Sequence, residues 1–270
     1  MKILAYSITI MFLLLVSGIL AFLYGLWFFG KDLPDYKELS KYNPKVVTRI
    51  HAGNGALLAE YAVEKRVFVP INVIPKTVID AFISAEDKDF YKHFGLDLKA
   101  TLRALLTNIK NIGSRKRLIG ASTITQQVAK NFLLSSEVSY ERKIKEAILA
   151  VRIERAFSKN QILELYLNEI YLGFKSYGIA AAALNYFDKS LDNLDLAEAA
   201  FLAALPKAPN NYNPIYKLEQ AVARRNWVLG QMNKNGYIED ETKLIESRKS
   251  INIKESSGID TGYAPILQKK

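Results

Sequence analysis

Three short stretches of this chain set acids, amides and cations at spacings able to hold and transfer a polar, anionic group. The first is Gly120-Ala121-Ser122-Thr123-Ile124-Thr125-Gln126-Gln127-Val128-Ala129-Lys130-Asn131, where a small-residue turn and hydroxyls precede a helical pattern with two amides and a cation. The Thr123 to Gln126 spacing predicts a capping box at the helix start. In the running helix Thr123, Gln126, Gln127 and Lys130 form one polar stripe, opposite Ile124, Val128 and Phe132. A capped, half-buried surface helix gives the same stripe, because polar helix faces are usually just solvated.

The second stretch is Ser84-Ala85-Glu86-Asp87-Lys88-Asp89-Phe90-Tyr91-Lys92-His93-Phe94-Gly95. A carboxyl among apolar rings can be raised toward the working range of a general base, which makes Glu86 a candidate. The plainer reading is a helix-end acid complementing a dipole. His93 reads as a structural hydrogen bonder, since His51 is its one histidine companion and no ligand spacing links them. The third stretch is Glu141-Arg142-Lys143-Ile144-Lys145-Glu146, on a helix whose expected apolar face is Tyr140, Ile144, Ala147, Ile148 and Val151. Pairing Glu146 with Arg142 or Lys143 runs cation first, the weaker order, and contributes only about 0.2–0.5 kcal/mol. Three cations around one acid fit a phosphate ligand better than helix support.

These stretches need elements to hold them. Val46 to Ile50 and Leu57 to Tyr61 flank Gly53-Asn54-Gly55 and predict a small hairpin. From about Val78 the pattern is helical. Asp97 is placed to cap a helix through Ala104, Leu105 and Ile109. Ser158 with Gln161 predicts a capping box ahead of Ile162, Leu163, Tyr166 and Ile170, and Asp195 with Glu198 another before a helix that Pro206 ends. A helix through Val222, Trp227, Leu229 and Met232 stops at Gly236.

The 270 residues suffice for a membrane anchor and one well-cored domain. The chain has no cysteine, which excludes a disulfide framework and a thiolate metal site. Lys and Arg number 37 against 27 Asp and Glu, and the net +10 predicts anionic partners: nucleic acid, lipid head groups or phosphorylated substrates. From Ile3 to Gly30 no side chain is charged, and a bilayer needs only about 20 apolar residues. That run exceeds the usual ~7–15-residue apolar region of a cleaved signal and no Ala-x-Ala-like site closes it, so a retained anchor is expected. With only Met1 and Lys2 before it, the tail is expected in the cytoplasm and the rest exported, with Trp27, Phe28 and Phe29 at the outer interface. The expected organisation is an anchor over 1–30, a connecting segment over 31–45 and a mainly α domain with a minor β element over 46–270.

Taken together and in order, these blocks resemble the peptidoglycan glycosyltransferases, family 51 of the glycosyltransferases. This family includes monofunctional enzymes and the first domain of class A penicillin-binding proteins. The matching blocks are Glu86-Asp87 through Phe90-Tyr91, His93 and Gly95; Gly120 through Asn131; Arg142-Lys143 and Glu146; Lys159 through Asn168; and Gly178 through Tyr186-Phe187. Any one block is weak evidence, and five in order are specific.

The resemblance implies a lysozyme-like, mostly helical fold with a small membrane-associated jaw, working on lipid II and the lipid-linked glycan outside the cytoplasmic (inner) membrane. It implies that Glu86 is the general base and that Glu146 orients the donor and its leaving group. Lys130 and Lys143 are implied to hold the diphosphate, with Ser122, Thr123, Gln126, Gln127 and Asn131 lining the substrate, and Arg142 is a further candidate substrate-binding residue. Glu164 and Asn168 are expected as structural supports. No cofactor is strictly required, with room for a divalent cation, Mg or Mn, at the diphosphate. Cell-wall synthesis or division proteins are possible partners and nucleic acid is not expected.

Where many members carry an arginine, this chain has Asp89 before the Phe-Tyr pair and Val138 eight residues before Glu146; Ala121 replaces a common second glycine. Neither Ser-x-x-Lys nor Lys-Thr-Gly occurs, so acylation chemistry of the transpeptidase type has no residues here. The chain is thus expected to be monofunctional or the first part of a longer protein. The rival readings are a lytic glycosidase, which needs no phosphate-holding cations, and an inactive membrane-anchored scaffold, for which Val138 is the one support.

Overall fold

The computed structural model describes residues 2–41, 48–51, 53, 57–61, 65–114, 120–134, 137 and 139–253. The chain opens with α1 (Lys2–Gly30), and among the described residues this is the one helix long and apolar enough to cross a membrane. The stretch after it does more than connect. A 3-10 turn over Tyr36–Lys41 brings Leu39, only 4% exposed, into the core, with Leu33 and Tyr36 packed against that core.

The two strands of the expected hairpin are present as β1 (Thr48–His51) and β2 (Leu57–Tyr61), paired antiparallel from Thr48 with Tyr61 to His51 with Leu57 and irregular between Ile50 and His51, while Val46, Val47 and the Asn54-Gly55 turn lie outside the described residues. Strand β3 (Lys65–Arg66) then leads to α2 (Lys76–Glu86) and α3 (Leu98–Lys110). Next come α4 (Ile124–Leu133), α5 (Tyr140–Ala156) and α6 (Lys159–Glu169). The short strand β4 (Ser176–Tyr177) pairs in parallel with β3, a contact between segments far apart in sequence that no local pattern announces. The described residues continue through α7 (Ile179–Phe187), α8 (Leu196–Ala204), α9 (Leu218–Lys234) and α10 (Asp240–Arg248). The architecture is therefore mainly α with a minor β element.

The caps explain where these helices begin. Asp97 accepts the Ala100 N–H at 2.8 Å. Full capping boxes start α4 (Thr123 with Gln126), α6 (Ser158 with Gln161) and α8 (Asp195 with Glu198). Gly236, at φ +77°, lies just past α9.

The core has two joined halves. In one, α2 packs against α8 and α9 through Phe82, Ile83, Phe201, Leu202, Val228 and Leu229. In the other, α4 packs against α5 and α6 through Ile124, Val128, Leu149, Ile153, Ile162, Leu163 and Tyr166. Each fully buried aliphatic or aromatic side chain contributes roughly 1.5–3 kcal/mol relative to exposure. The consequence for chemistry is that the end of α2 and the start of α4 are held by opposite halves of a rigid core and meet between them.

Candidate active site

Glu86 is the last residue of α2, and Asp87 (φ −158°) leaves the helix. An acid there faces the partial negative end of the helix dipole, so the plainer reading of a dipole-complementing acid does not hold. Its placement works against local stability, as functional placements often do. Burial pushes the Glu86 carboxyl up from the usual carboxylate range, and the nearby Asp87 adds to this. Opposing them are the Gln127 amide and, more weakly, the positive charges of Arg224 and Lys207. Gln127 Nε2 donates to Glu86 Oε2 at 2.8 Å, fixing one carboxyl oxygen.

The neighbouring acid has a different task. Asp87 is buried, and its two oxygens accept from His93 Nε2 at 3.0 Å each while Oδ2 also takes the Ile124 N–H at 3.0 Å. It thereby ties the end of α2 to the first turn of α4. His93 is the structural hydrogen bonder expected of it. Thr123 adds a second tie, because its hydroxyl accepts the Gln126 N–H at 3.1 Å and donates to the Gly95 carbonyl at 2.6 Å. Gly95 sits at φ +87°, and a Cβ there would lie 2.7 Å from the Ala150 carbonyl oxygen of α5. Only glycine lets the loop after Glu86 run this close to α5.

The cations gather further along α4 and on α5. Glu146 is 1% exposed, with Lys143 Nζ donating to its Oε2 and Arg142 Nη1 lying 3.2 Å from its Oε1. Lys143 also donates to the Ser122 hydroxyl at 3.1 Å. Lys130 is half-buried; desolvation lowers its pKa, attraction to Glu146 and Glu86 opposes this, and Arg142 and Lys143 repel it. Lys130 is therefore the charge that senses both acids.

Two expectations for α5 need correction. Lys145 turns away from Glu146 to pair with Glu141 at 2.6 Å, so Lys130 from α4 takes its place as the third cation. Tyr140 is 92% exposed and Ile144 is exposed, while Glu146 is buried with Leu149, Ala150 and Ile153. The first turn of α5 reaches past the core, and its inward side carries the acid.

The Arg142–Glu146 approach leaves Arg142 Nε and Glu146 Oε1 buried without a hydrogen bond, and unpaired polar atoms in a charged cluster are a recurrent mark of functional sites. A single carboxylate already flanked by two cations does not fit a resident divalent metal, and among the described residues no group of three or more His, Asp or Glu side chains is assembled for one.

A cleft of about 280 Å³ opens beside Glu86, lined by Asp87, Gly120 through Thr123, Arg103 and Thr107 of α3, and Gln231 of α9. Lys143 touches its edge through Ser122. Gln126 is held in its capping box, and Asn131 is exposed one residue past Lys130. Val138 lies outside the described residues. Glu164 and Asn168 serve the fold: Glu164 Oε2 accepts the Ile71 N–H at 2.7 Å, and the Asn168 amide pairs with both the N–H and the carbonyl of Val69 at 2.7 and 2.8 Å.

Sequence reading missed two cations, Lys207 and Arg224. Arg224 lies in α9 with its guanidinium 3.7 Å from the centroid of the Trp227 ring, and its Nε is buried without a hydrogen bond. The Arg224/Trp227 spacing on one helix face was the available signal.

Residues 54–233 match the family model described as Transglycosylase. The chain is 52% identical over 237 residues to penicillin-binding protein 1A of Rickettsia felis, covering 88% of this chain and 30% of that protein. It is 45% identical over 217 residues to penicillin-binding protein 1A of Escherichia coli, covering 80% and 25%. The crystal structure of penicillin-binding protein 1A from Haemophilus influenzae matches with a TM-score of 0.46 and 28% identity over 78% of this chain and 22% of that one. The chain thus spans about 30% of the length of the Rickettsia felis relative.

Proposed function

This chain belongs to the transglycosylase family, the peptidoglycan glycosyltransferases, and from that premise we propose that it polymerises lipid II into glycan strands. The observation that carries the reading is the pairing of a half-buried, upshifted Glu86 with a cation cluster around Glu146, both organised by one capped helix, α4. Glu86 removes the proton from the 4-hydroxyl of the acceptor sugar. The freed oxygen attacks the anomeric carbon of the lipid-linked donor from the face opposite the leaving group. A β-1,4 bond forms, the bond from that carbon to the diphosphate oxygen breaks, and undecaprenyl diphosphate departs.

The leaving group needs positive charge more than a proton, and stabilising developing charge is usually the largest catalytic contribution. Lys130, Arg142 and Lys143 supply it, with Glu146 keeping the cations aimed. Gln127 orients Glu86. Ser122 and Thr123 shape the edge of the cleft, Gln126 holds the start of α4 through its capping box, and Asn131, exposed one residue past Lys130, is read as a further substrate contact. A divalent cation, where present, would ride on the diphosphate and not on a protein cage. In this reading α1 anchors the chain in the cytoplasmic membrane with the remaining residues on its outer side.

Lytic cleavage on a related fold uses a glutamate but has no use for three cations beside it. The two reactions separate in one assay: purified protein given labelled lipid II should build long glycan, and given cell-wall sacculi should release nothing. Muropeptide release without polymer would reverse the assignment.

A further inference from the structure

The end of α1 is built into the domain. Gly30, its last residue, is buried, and its carbonyl accepts from Arg152 Nη2 of α5 at 3.1 Å. The last carbonyls of a helix lack partners of their own and favour a nearby cation, so the guanidinium is well matched to this position. Glycine eases the approach: a Cβ on Gly30 would stand 3.1 Å from Arg152 Nη2, so the guanidinium would have to give by a few tenths of an ångström. Beyond it Leu33 and Tyr36 pack on the core and Leu39 enters it. The Lys31 ammonium lies 5.8 and 5.1 Å from the Trp27 and Phe28 ring centroids, an aromatic and basic grouping suited to a membrane surface.

We propose that Arg152 is a positioning residue that clamps the anchor to α5 and so fixes the height of the cation cluster above the membrane. The inference rests on the functional reading above. Arg152 and Glu146 share one helix six residues apart, and Arg142 is four further. At 1.5 Å per residue Glu146 stands roughly 9 Å, and Lys143 and Arg142 roughly 14–15 Å, along α5 from Arg152 at the anchor's end. The polar layer on each side of a bilayer is only about 5–8 Å deep, and it holds a lipid's diphosphate. A flexible tether would let the site sample many heights, whereas a clamped one holds its cations at one fixed offset from the anchor's end, so that their height is set against the layer carrying the substrate's phosphates. The clamp therefore matters for a substrate held in a bilayer and is irrelevant to one free in water.

The test uses the full chain in phosphatidylethanolamine and phosphatidylglycerol vesicles, comparing the wild type with Arg152→Gln, Arg152→Lys and Gly30→Leu. Each is given lipid II with its long prenyl chain in the same vesicles, or a short-prenyl, water-soluble analogue, and thermal midpoints are measured alongside. Arg152→Gln and Gly30→Leu should lose about 10- to 100-fold on the embedded substrate while staying within about twofold on the soluble one, as expected for a misplaced but intact site. Arg152→Lys, which still donates to the carbonyl, should recover most of the loss. Equal losses on both substrates, or no loss on either, would overturn the clamp while leaving the polymerase reading intact. A wild type inactive on both would overturn that reading and the clamp with it.

Discussion

The two acids at the end of α2 are adjacent yet differ in what surrounds them. Asp87 is consumed by His93 and the Ile124 N–H, whereas Glu86 has one oxygen held by Gln127 and lines the cleft. Because burial raises the Glu86 pKa, its ionised form is disfavoured in the folded protein, and the sign of two effects follows. The rate should climb with pH to a midpoint above the ordinary glutamate value of about 4.3, and a kcat/KM profile with its midpoint below that would contradict the burial argument. Stability runs the other way. The contribution of Glu86 is fully present below its unfolded pKa and is lost as pH rises through the raised folded value. Melting of Glu86→Gln against wild type should therefore show matching midpoints in acid and a more stable variant at neutral pH. Lys130 gives a related prediction. Desolvation already disfavours its charge, so Lys130→Met should keep or raise the thermal midpoint while polymerisation falls, since the loss is of a charge-assisted contact to phosphate. A collapsed midpoint with normal activity per folded molecule would make Lys130 structural.

At the scale of elements, α4 is the organiser, and its start is fixed by Thr123 through the capping box and the Gly95 carbonyl. Thr123→Ala should cost about 1–2 kcal/mol, the upper part of the range for a lost cap, and Thr123→Ser should restore most of it in chemical denaturation. An unchanged midpoint for the alanine variant would show that the cap does not hold the helix. The caps of α3, α4, α6 and α8 were legible in the sequence because each depends on residues three apart. The inward face of α5 was not, because Tyr140 and Ile144 are apolar yet exposed, and the buried group at that level is Glu146. Periodicity assumes that apolar side chains mark the interior, and the assumption fails where the interior is a charged site. The parallel pairing of β3 with β4 and the approach of Lys207 and Arg224 to Glu86 escaped for another reason. They depend on segments roughly a hundred residues or more apart, and nothing local encodes their meeting.

For the whole molecule, the sequence displayed an apolar run at one end and an excess of positive charge, and the structure adds that the two are mechanically joined through Gly30 and Arg152. The absence of cysteine makes topology simple to measure. A single cysteine at the exposed Leu244 of α10 should react with a membrane-impermeant maleimide added to spheroplasts, and one replacing Lys2 should not. The reverse labelling pattern would place the domain in the cytoplasm and remove it from its substrate. The central claim is that a half-buried carboxylate at the end of α2 drives glycan polymerisation beside a cation cluster. It is tested most directly by giving labelled lipid II to purified wild type and to Glu86→Gln, with folding of both verified by circular dichroism and melting. Long glycan from the wild type and a loss of about 10²–10⁴ in rate for the folded variant is the expected result for removal of a general base. Polymer from folded Glu86→Gln at near wild-type rate would contradict the account.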